Sequence, residues 1–249
     1  MKSYYADYLG AKLHYRVGGK QDAPILVLLH GGFGSIDDFA ELIPFLRRHF
    51  HLVSVDTRGH GRSTLGDVSL TYAQAADDVK HILQRMNITK FSILGFSDGG
   101  TIAYRLGTTE YGVEKIITVG AHWHSDNLQE VRSMFEALDI AFVNEYMAEQ
   151  IKVYFAQNPQ ANLEKWISSL KAMWLDESAS GYPNEAVAQI RAPVLAVRGE
   201  ADFLLSLKDM AALQQHLPDI HLMNVPFGAH EVLKEQPNQL WAAIQAFFK

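Results

Sequence analysis

Ser97 stands at the centre of Gly95-Phe96-Ser97-Asp98-Gly99-Gly100, directly after the apolar run Phe91–Leu94. This is the G-x-S-x-G pattern of a nucleophile elbow. Small residues flank the serine because the strand-to-helix turn is too tight for side chains beside it. Such a turn lifts Oγ out of the sheet. The helix that follows aims backbone N–H groups and a partial positive charge at the same place. A serine hydroxyl at neutral pH needs a base, and the base needs an orienting acid. Pro226-Phe227-Gly228-Ala229-His230 follows a late apolar run and offers His230 as the base. Glu200-Ala201-Asp202 follows the run before it and offers two acids, of which Asp202 is favoured over Glu200.

A tetrahedral intermediate carries a negative oxygen, which two convergent backbone N–H groups can hold. His30-Gly31-Gly32-Phe33-Gly34 closes the first long apolar run and can supply one donor, Gly32 or alternatively Phe33. The residue after the nucleophile, Asp98, supplies the other. His30 reads as a structural hydrogen-bonding residue of this loop.

These groups need strands that end side by side. Apolar runs at Pro24–His30, Phe50–Asp56, Phe91–Gly95, Lys115–Gly120, Pro193–Gly199 and Ile220–Pro226 suit strands buried on both faces of a parallel sheet. Ser3–Leu9 and Lys12–Val17 alternate and predict an exposed hairpin edge. Helical patterns lie between the runs. One opens with the capping-box pair Thr71 and Gln74, and another starts at Pro237. The expected fold is α/β, a doubly wound, mostly parallel eight-stranded sheet whose ligands bind at the carboxyl ends of the strands. Between His122 and Glu185 the alternation stops. Three aromatic-rich helices are predicted there, near Asp126–Leu138, Phe142–Gln157 and Leu163–Leu175. Residues 122–185 are therefore expected to form a helical lid inserted after the sixth strand of a core made by 1–121 and 186–249. This segment holds ten acidic and four basic residues, so the whole net charge of −6 falls within it.

Composition closes several routes. With 249 residues and 48% hydrophobic content the chain can bury a full core. Its negative balance argues against a nucleic-acid partner. The sequence has no cysteine, which excludes thiolate metal sites and cysteine nucleophiles. No run approaches the ~20 apolar residues of a membrane span, and the start shows no signal-peptide pattern, so a cytoplasmic monomer or homodimer is expected. No dinucleotide fingerprint or phosphate loop is present, and no cofactor is expected.

Taken in order, His30-Gly31-Gly32, Asp56-Thr57-Arg58-Gly59-His60-Gly61-Arg62-Ser63, the Ser97 elbow, Asp202 and His230 resemble the α/β-hydrolase fold superfamily, in its cap-bearing serine hydrolase branch. The resemblance covers nearly the whole chain and implies a Ser-Asp-His triad in that order. It also implies a mainly architectural role for the Asp56–Ser63 loop. Relatives that break carbon–halogen bonds or open epoxides carry a carboxylate at the nucleophile, so Ser97 implies acyl transfer instead. The Ser-Asp-Gly-Gly elbow is similar to that of the valacyclovirase-like (biphenyl hydrolase-like) proteins. There an acidic residue beside the nucleophile helps to bind the ammonium of an amino-acid ester.

The expected activity is hydrolysis of a small carboxylic ester, an amino-acid ester being one specific case. Lactonase, thioesterase or carbon–carbon bond hydrolase activity with the same triad, or a lid-gated small-molecule receptor, are the alternatives. Candidate substrate-binding residues are Phe33, Asp98, Trp123 and His124. His122-Trp123-His124 has no third ligand at suitable spacing, so no metal site is expected. Phe135, Phe142, Tyr146, Trp166 and Trp174 either line an acyl pocket or pack the lid on the core.

Overall fold

The computed structural model describes residues 1–109 and 111–249. Among these, eight strands form one sheet: β1 (Lys2–Tyr8), β2 (Ala11–Gly19), β3 (Ile25–Leu29), β4 (His51–Val55), β5 (Phe91–Phe96), β6 (Val113–Val119), β7 (Val194–Gly199) and β8 (His221–Val225). Their spatial order is β1-β2-β4-β3-β5-β6-β7-β8. The β1–β2 and β2–β4 pairs are antiparallel, and every later pair is parallel. The chain winds outward in both directions from β3. The crevice at the carboxyl ends of β3 and β5 therefore lies at the switch point where such sheets receive ligands.

The β strands bury alternate side chains on opposite faces, as a two-residue period requires. In β3, Val27 and Leu29 join the core that contains α2 (Tyr72–Arg85) and α3 (Asp98–Gly107). Leu26 and Leu28 join the opposite core. That core is closed by Leu46 of the single-turn α1 (Ile43–Leu46), Val232 and Leu233 of α9 (Val232–Glu235), and Leu240 and Ile244 of α10 (Pro237–Phe247). One expectation fails at β8. It is an edge strand with an exposed face, Leu222 included, rather than a strand buried on both sides.

The helical insertion lies between β6 and β7, but its first two predicted helices are each broken. A short 3₁₀ turn at Ser125–Leu128 precedes α4 (Arg132–Glu136). Asp139 then starts α5 (Ile140–Tyr146) by accepting the Phe142 N–H. Met147, at φ −133° and ψ 30°, separates α5 from α6 (Ala148–Gln157). Asn162 accepts the Lys165 N–H to cap α7 (Leu163–Trp174), and α8 (Leu207–His216) follows β7. The capping pair at α2 is half realised. Thr71 Oγ1 accepts the Gln74 N–H at 3.0 Å, while the Gln74 side chain donates to Asp78 instead.

The loop after β4 ties these layers together. Asp56 accepts hydrogen bonds from the His14 ring (2.7 Å) and from the N–H groups of Ile36 (2.8 Å) and Arg62 (2.9 Å). Arg58, fully buried, donates through Nε and Nη2 to the two oxygens of Asp78 on α2 at 2.8 and 2.7 Å. It also reaches the carbonyls of Tyr8, Leu9 and Leu65. Asn158, at the end of α6, gives its amide protons to the carbonyls of Gly61 and Ser63, which fastens the insertion to this loop.

Removing one partner of a buried ion pair strands the other charge. Asp78→Ala is expected to lower the unfolding free energy by about 3–5 kcal/mol, read from denaturant unfolding curves.

Candidate active site

Five loops leave the carboxyl ends of the parallel strands on one edge of the sheet. They carry Gly32 after β3, Ser97 after β5, Gly120 and His122 after β6, Asp202 after β7 and His230 after β8. Ser97 has φ 50° and ψ −118°, a left-handed conformation that L-residues rarely adopt. Its N–H donates to the Val119 carbonyl of β6 at 2.8 Å. Its own carbonyl accepts the N–H groups of Gly100 and Thr101, which starts α3. The N–H groups of Gly32 and Asp98 have no acceptor among the described residues and are free to hold an incoming oxygen. Phe33 also has a left-handed backbone, φ 56°, with its ring buried.

His230 Nδ1–H donates to the Asp202 carboxylate, at 3.0 Å to Oδ1 and 3.1 Å to Oδ2. Nε2 is thereby left as the acceptor. Asp202 Oδ1 also accepts the N–H groups of Leu204 (2.9 Å) and Leu205 (3.2 Å). Burial alone would raise this carboxyl. The hydrogen bond and charge of His230, with the two backbone donors, outweigh burial and hold it below the ordinary aspartate value. Glu200, the other acid considered, is exposed and accepts the Phe227 N–H instead. Arg198 of β7 fixes the whole acid loop by donating to the carbonyls of Glu200, Asp202 and Leu205 and to Asn224 of β8.

The His230 ring packs against Phe96, the residue before Ser97, with centroids 5.1 Å apart. Behind it lies Gly120 at φ 61°, where a Cβ would come within 2.8 Å of the imidazole and 3.0 Å of Asp202 Oδ2. Ser97 and His230 face one cavity with no hydrogen bond between them. Catalytic contacts of this kind commonly tighten only when substrate is bound.

That cavity has a volume of about 500 Å³. Met134, Phe135, Leu138, Phe142 and Met147 of the insertion form an apolar wall, continued by Phe203 and Leu204. Gly32, Phe33 and Asp98 line it as well, and so do Tyr146 and Trp174. Trp166 does not. It is buried between Tyr154, Phe33 and His60. His30 acts within its own loop, with Nδ1 donating to Gly31 and Nε2 accepting the Thr57 N–H.

Two proposed substrate contacts lie elsewhere. Trp123 is buried and donates its indole N–H to the Asp209 carbonyl. His124 caps the Ser125–Leu128 turn and meets Glu185 on the outer surface. Neither lines the cavity, because the chain turns away from the strand end one residue earlier, at His122. His122 is the cavity residue. Its Nε2 donates to the Leu204 carbonyl at 2.7 Å, and burial keeps the ring neutral by lowering its proton affinity. Tyr72 and Tyr182 also line the cavity, brought in from α2 and from the segment after α7. Nothing in the local spacing marks them. The strand-ending Gly120 was the one visible cue.

Asp98 does line the cavity, but it is already engaged. It accepts from Tyr72 Oη at 2.7 Å and from Trp174 Nε1 at 3.0 and 2.9 Å. Loss of solvation pushes its carboxyl above the ordinary value, against these two donors. The one lysine or arginine among the described lining residues is Lys234, at the rim, paired with Asp38 (3.0 Å) and Glu231 (2.6 Å). No group of acids, histidines and cysteines able to hold a metal occurs among the described residues. Within the same residues, no helix is long and apolar enough to cross a membrane.

A family model described as alpha/beta hydrolase fold matches residues 24–142. The chain is 26% identical to 3-oxoadipate enol-lactonase 1 of Acinetobacter baylyi, over 96% of this chain and 94% of that protein. It is 25% identical to serine hydrolase BPHL of Homo sapiens, over 90% and 78%. The crystal structure of the enol-lactonase from Burkholderia xenovorans superposes with a TM-score of 0.74 at 19% identity, covering 98% of this chain and 99% of that one.

A carboxyl whose folded value is depressed adds stability that is present above its unfolded pKa and lost as pH falls through the folded one. Below about pH 4 the wild type is expected to lose stability more steeply than Asp202→Asn, measured as Tm against pH.

Proposed function

Because the chain belongs to the α/β-hydrolase fold superfamily and is a hydrolase, we propose that it cleaves an uncharged carboxylic ester through a Ser97-acyl intermediate. The observation that carries this reading is His230, hydrogen bonded to Asp202 at 3.0 Å, lining the same cavity as the left-handed Ser97. Ser97 Oγ attacks the ester carbonyl as its proton passes to His230 Nε2. The carbonyl electron pair moves onto oxygen, which the N–H groups of Asp98 and of Gly32 or Phe33 hold. Collapse expels the alcohol with the proton from His230. A water deprotonated by His230 then releases the acid and restores the serine. Asp202 keeps the imidazole in the productive tautomer and supports its transient charge.

The cavity narrows the substrate. A cavity of about 500 Å³ with an apolar wall suits a hydrocarbon acyl or alcohol group. A substrate carboxylate would meet no free cation among the described lining groups, since Lys234 is paired twice. An amino-acid ester remains the second reading, favoured by the place of Asp98 on the cavity wall. It competes with the Tyr72 and Trp174 donors that already occupy that carboxylate. The helical insertion acts in this reading as the lid that shapes the acyl pocket.

Initial rates on a series of 4-nitrophenyl esters from acetate to octanoate, and on an aminoacyl ester with its N-acetylated form, test this. Rates are expected to rise with acyl length before falling, and the N-acetylated ester is expected to be the better of its pair. Ser97→Ala is expected to remove turnover, and Asp202→Asn to reduce kcat by about 10⁴-fold. A preference for the free amine that Asp98→Ala erases would establish the amino-ester reading instead. Absence of turnover on every ester would favour the receptor alternative.

A further inference from the structure

The indole of Trp174 touches both halves of the proposed oxyanion hole. Its Nε1–H donates to both carboxylate oxygens of Asp98, the residue whose N–H is one donor. Its ring lies directly over Gly32, the candidate for the other. A Cβ on Gly32 would stand 2.5 Å from Trp174 Cζ2 and 2.8 Å from Asp98 Oδ2. Next along the loop, Phe33 is held in its left-handed conformation with its ring edge-on to Trp174 (5.6 Å, 76°) and to Trp166 (5.0 Å, 84°).

Trp174 is itself fixed from behind. Phe135 of α4 packs on it with centroids 4.8 Å apart, and its carbonyl accepts the Tyr182 hydroxyl at 3.0 Å. Tyr72 donates to the same Asp98 carboxylate from the side of α2.

The two backbone donors come from different elements, the loop after β3 and the start of α3. Among the described residues no hydrogen bond joins Gly32 or Phe33 to Asp98. Their separation must nevertheless suit a single oxygen, with donors about 2.7–3.1 Å from it. We infer that Trp174 is a positioning residue of the oxyanion hole, spacing the Gly32–Phe33 loop from Asp98 by contact on one side and hydrogen bonding on the other. Asp98 is, on this view, an anchor for the insertion before it is a receptor for substrate. The inference rests on the acyl-transfer reading of Ser97.

Trp174→Phe keeps an aromatic ring and removes the N–H. It is expected to lower kcat about tenfold to a hundredfold, as a misplacement remote from the reacting atoms can. The discriminating readout is affinity for two probes with the acyl chain of the best ester: an alkylboronic acid, which forms a tetrahedral adduct on Ser97, and the matching carboxamide, which stays planar. Boronate affinity is expected to fall in step with kcat while carboxamide affinity holds within about twofold, because only the tetrahedral species draws fully on the hole. Asp98→Asn, which weakens the same anchor from the other end, should show the same pattern. The double variant should be little worse than either single one.

Wild-type kcat and boronate affinity in both single variants, at unchanged Tm, would overturn the inference. Equal losses for boronate and carboxamide would also overturn it, making Trp174 a wall of the acyl pocket. Failure of the wild type to hydrolyse any ester or to react with a fluorophosphonate at Ser97 would instead bring down the acyl-transfer reading, and the inference with it.

Discussion

Ser97 occupies φ 50°, ψ −118°, a backbone state that costs about 1–3 kcal/mol and persists only where the surroundings over-determine it. Three constraints hold it there. Its N–H is a rung of the β5–β6 pairing, its carbonyl is the first acceptor of α3, and the neighbouring glycines let those two elements meet. A residue pinned by a sheet on one side and a helix on the other has no local freedom to relax. Every other group of the site is placed relative to it. Val119, which accepts its N–H, leads directly to Gly120 and the space that His230 fills. Phe96, just before it, is the surface on which that imidazole rests.

Much of this could be read before any coordinates, for reasons particular residues make plain. Val27 to Leu29 and Val194 to Val197 are apolar without interruption because parallel central strands are covered on both faces, and that run survives in sequence as a pattern. Ser97, Asp202 and His230 are legible as candidates because each closely follows a predicted strand, and the structure carries all three on loops at one end of the sheet. The failures share a cause as well. Trp123 and His124 follow β6 just as closely, yet the chain turns outward at His122, and the direction of a turn is set by Asn127 and Asn184 bonding to its backbone. Tyr72 and Tyr182 reach the cavity from separate segments, α2 and the stretch after α7. Helical periodicity marks Tyr72 only as buried, and no periodic pattern covers Tyr182 at all. The breaks in the insertion arise from single side-chain caps such as Asp139, which a coarse period averages away.

Electrostatics divide the cavity into two unlike parts. On one side an anionic pair member, Asp202, is satisfied by an imidazole and two backbone donors, which keeps it charged. On the other, Asp98 sits beside the proposed oxyanion hole, a poor location for an unshielded negative charge. The Tyr72 hydroxyl and the Trp174 indole draw that charge toward themselves. Between the two lies the apolar surface of Met134, Phe135 and Phe142.

The helix that begins at Ser97 is fastened to the insertion at both ends. Asp98 holds Trp174 at its start. Near its end Arg105 donates to the carbonyls of Ala179, Gly181 and Tyr182. The α7 side of the insertion also buries five side chains, whereas α4, α5 and α6 bury one each. The insertion therefore cannot swing as a single door. Its α7 half is tied to the helix that Ser97 starts, while α6 is tied to the core through Asn158 and the loop after β4. A change in the packing of α7 is therefore transmitted to both ends of the helix that Ser97 starts, through Trp174 at one end and Arg105 at the other.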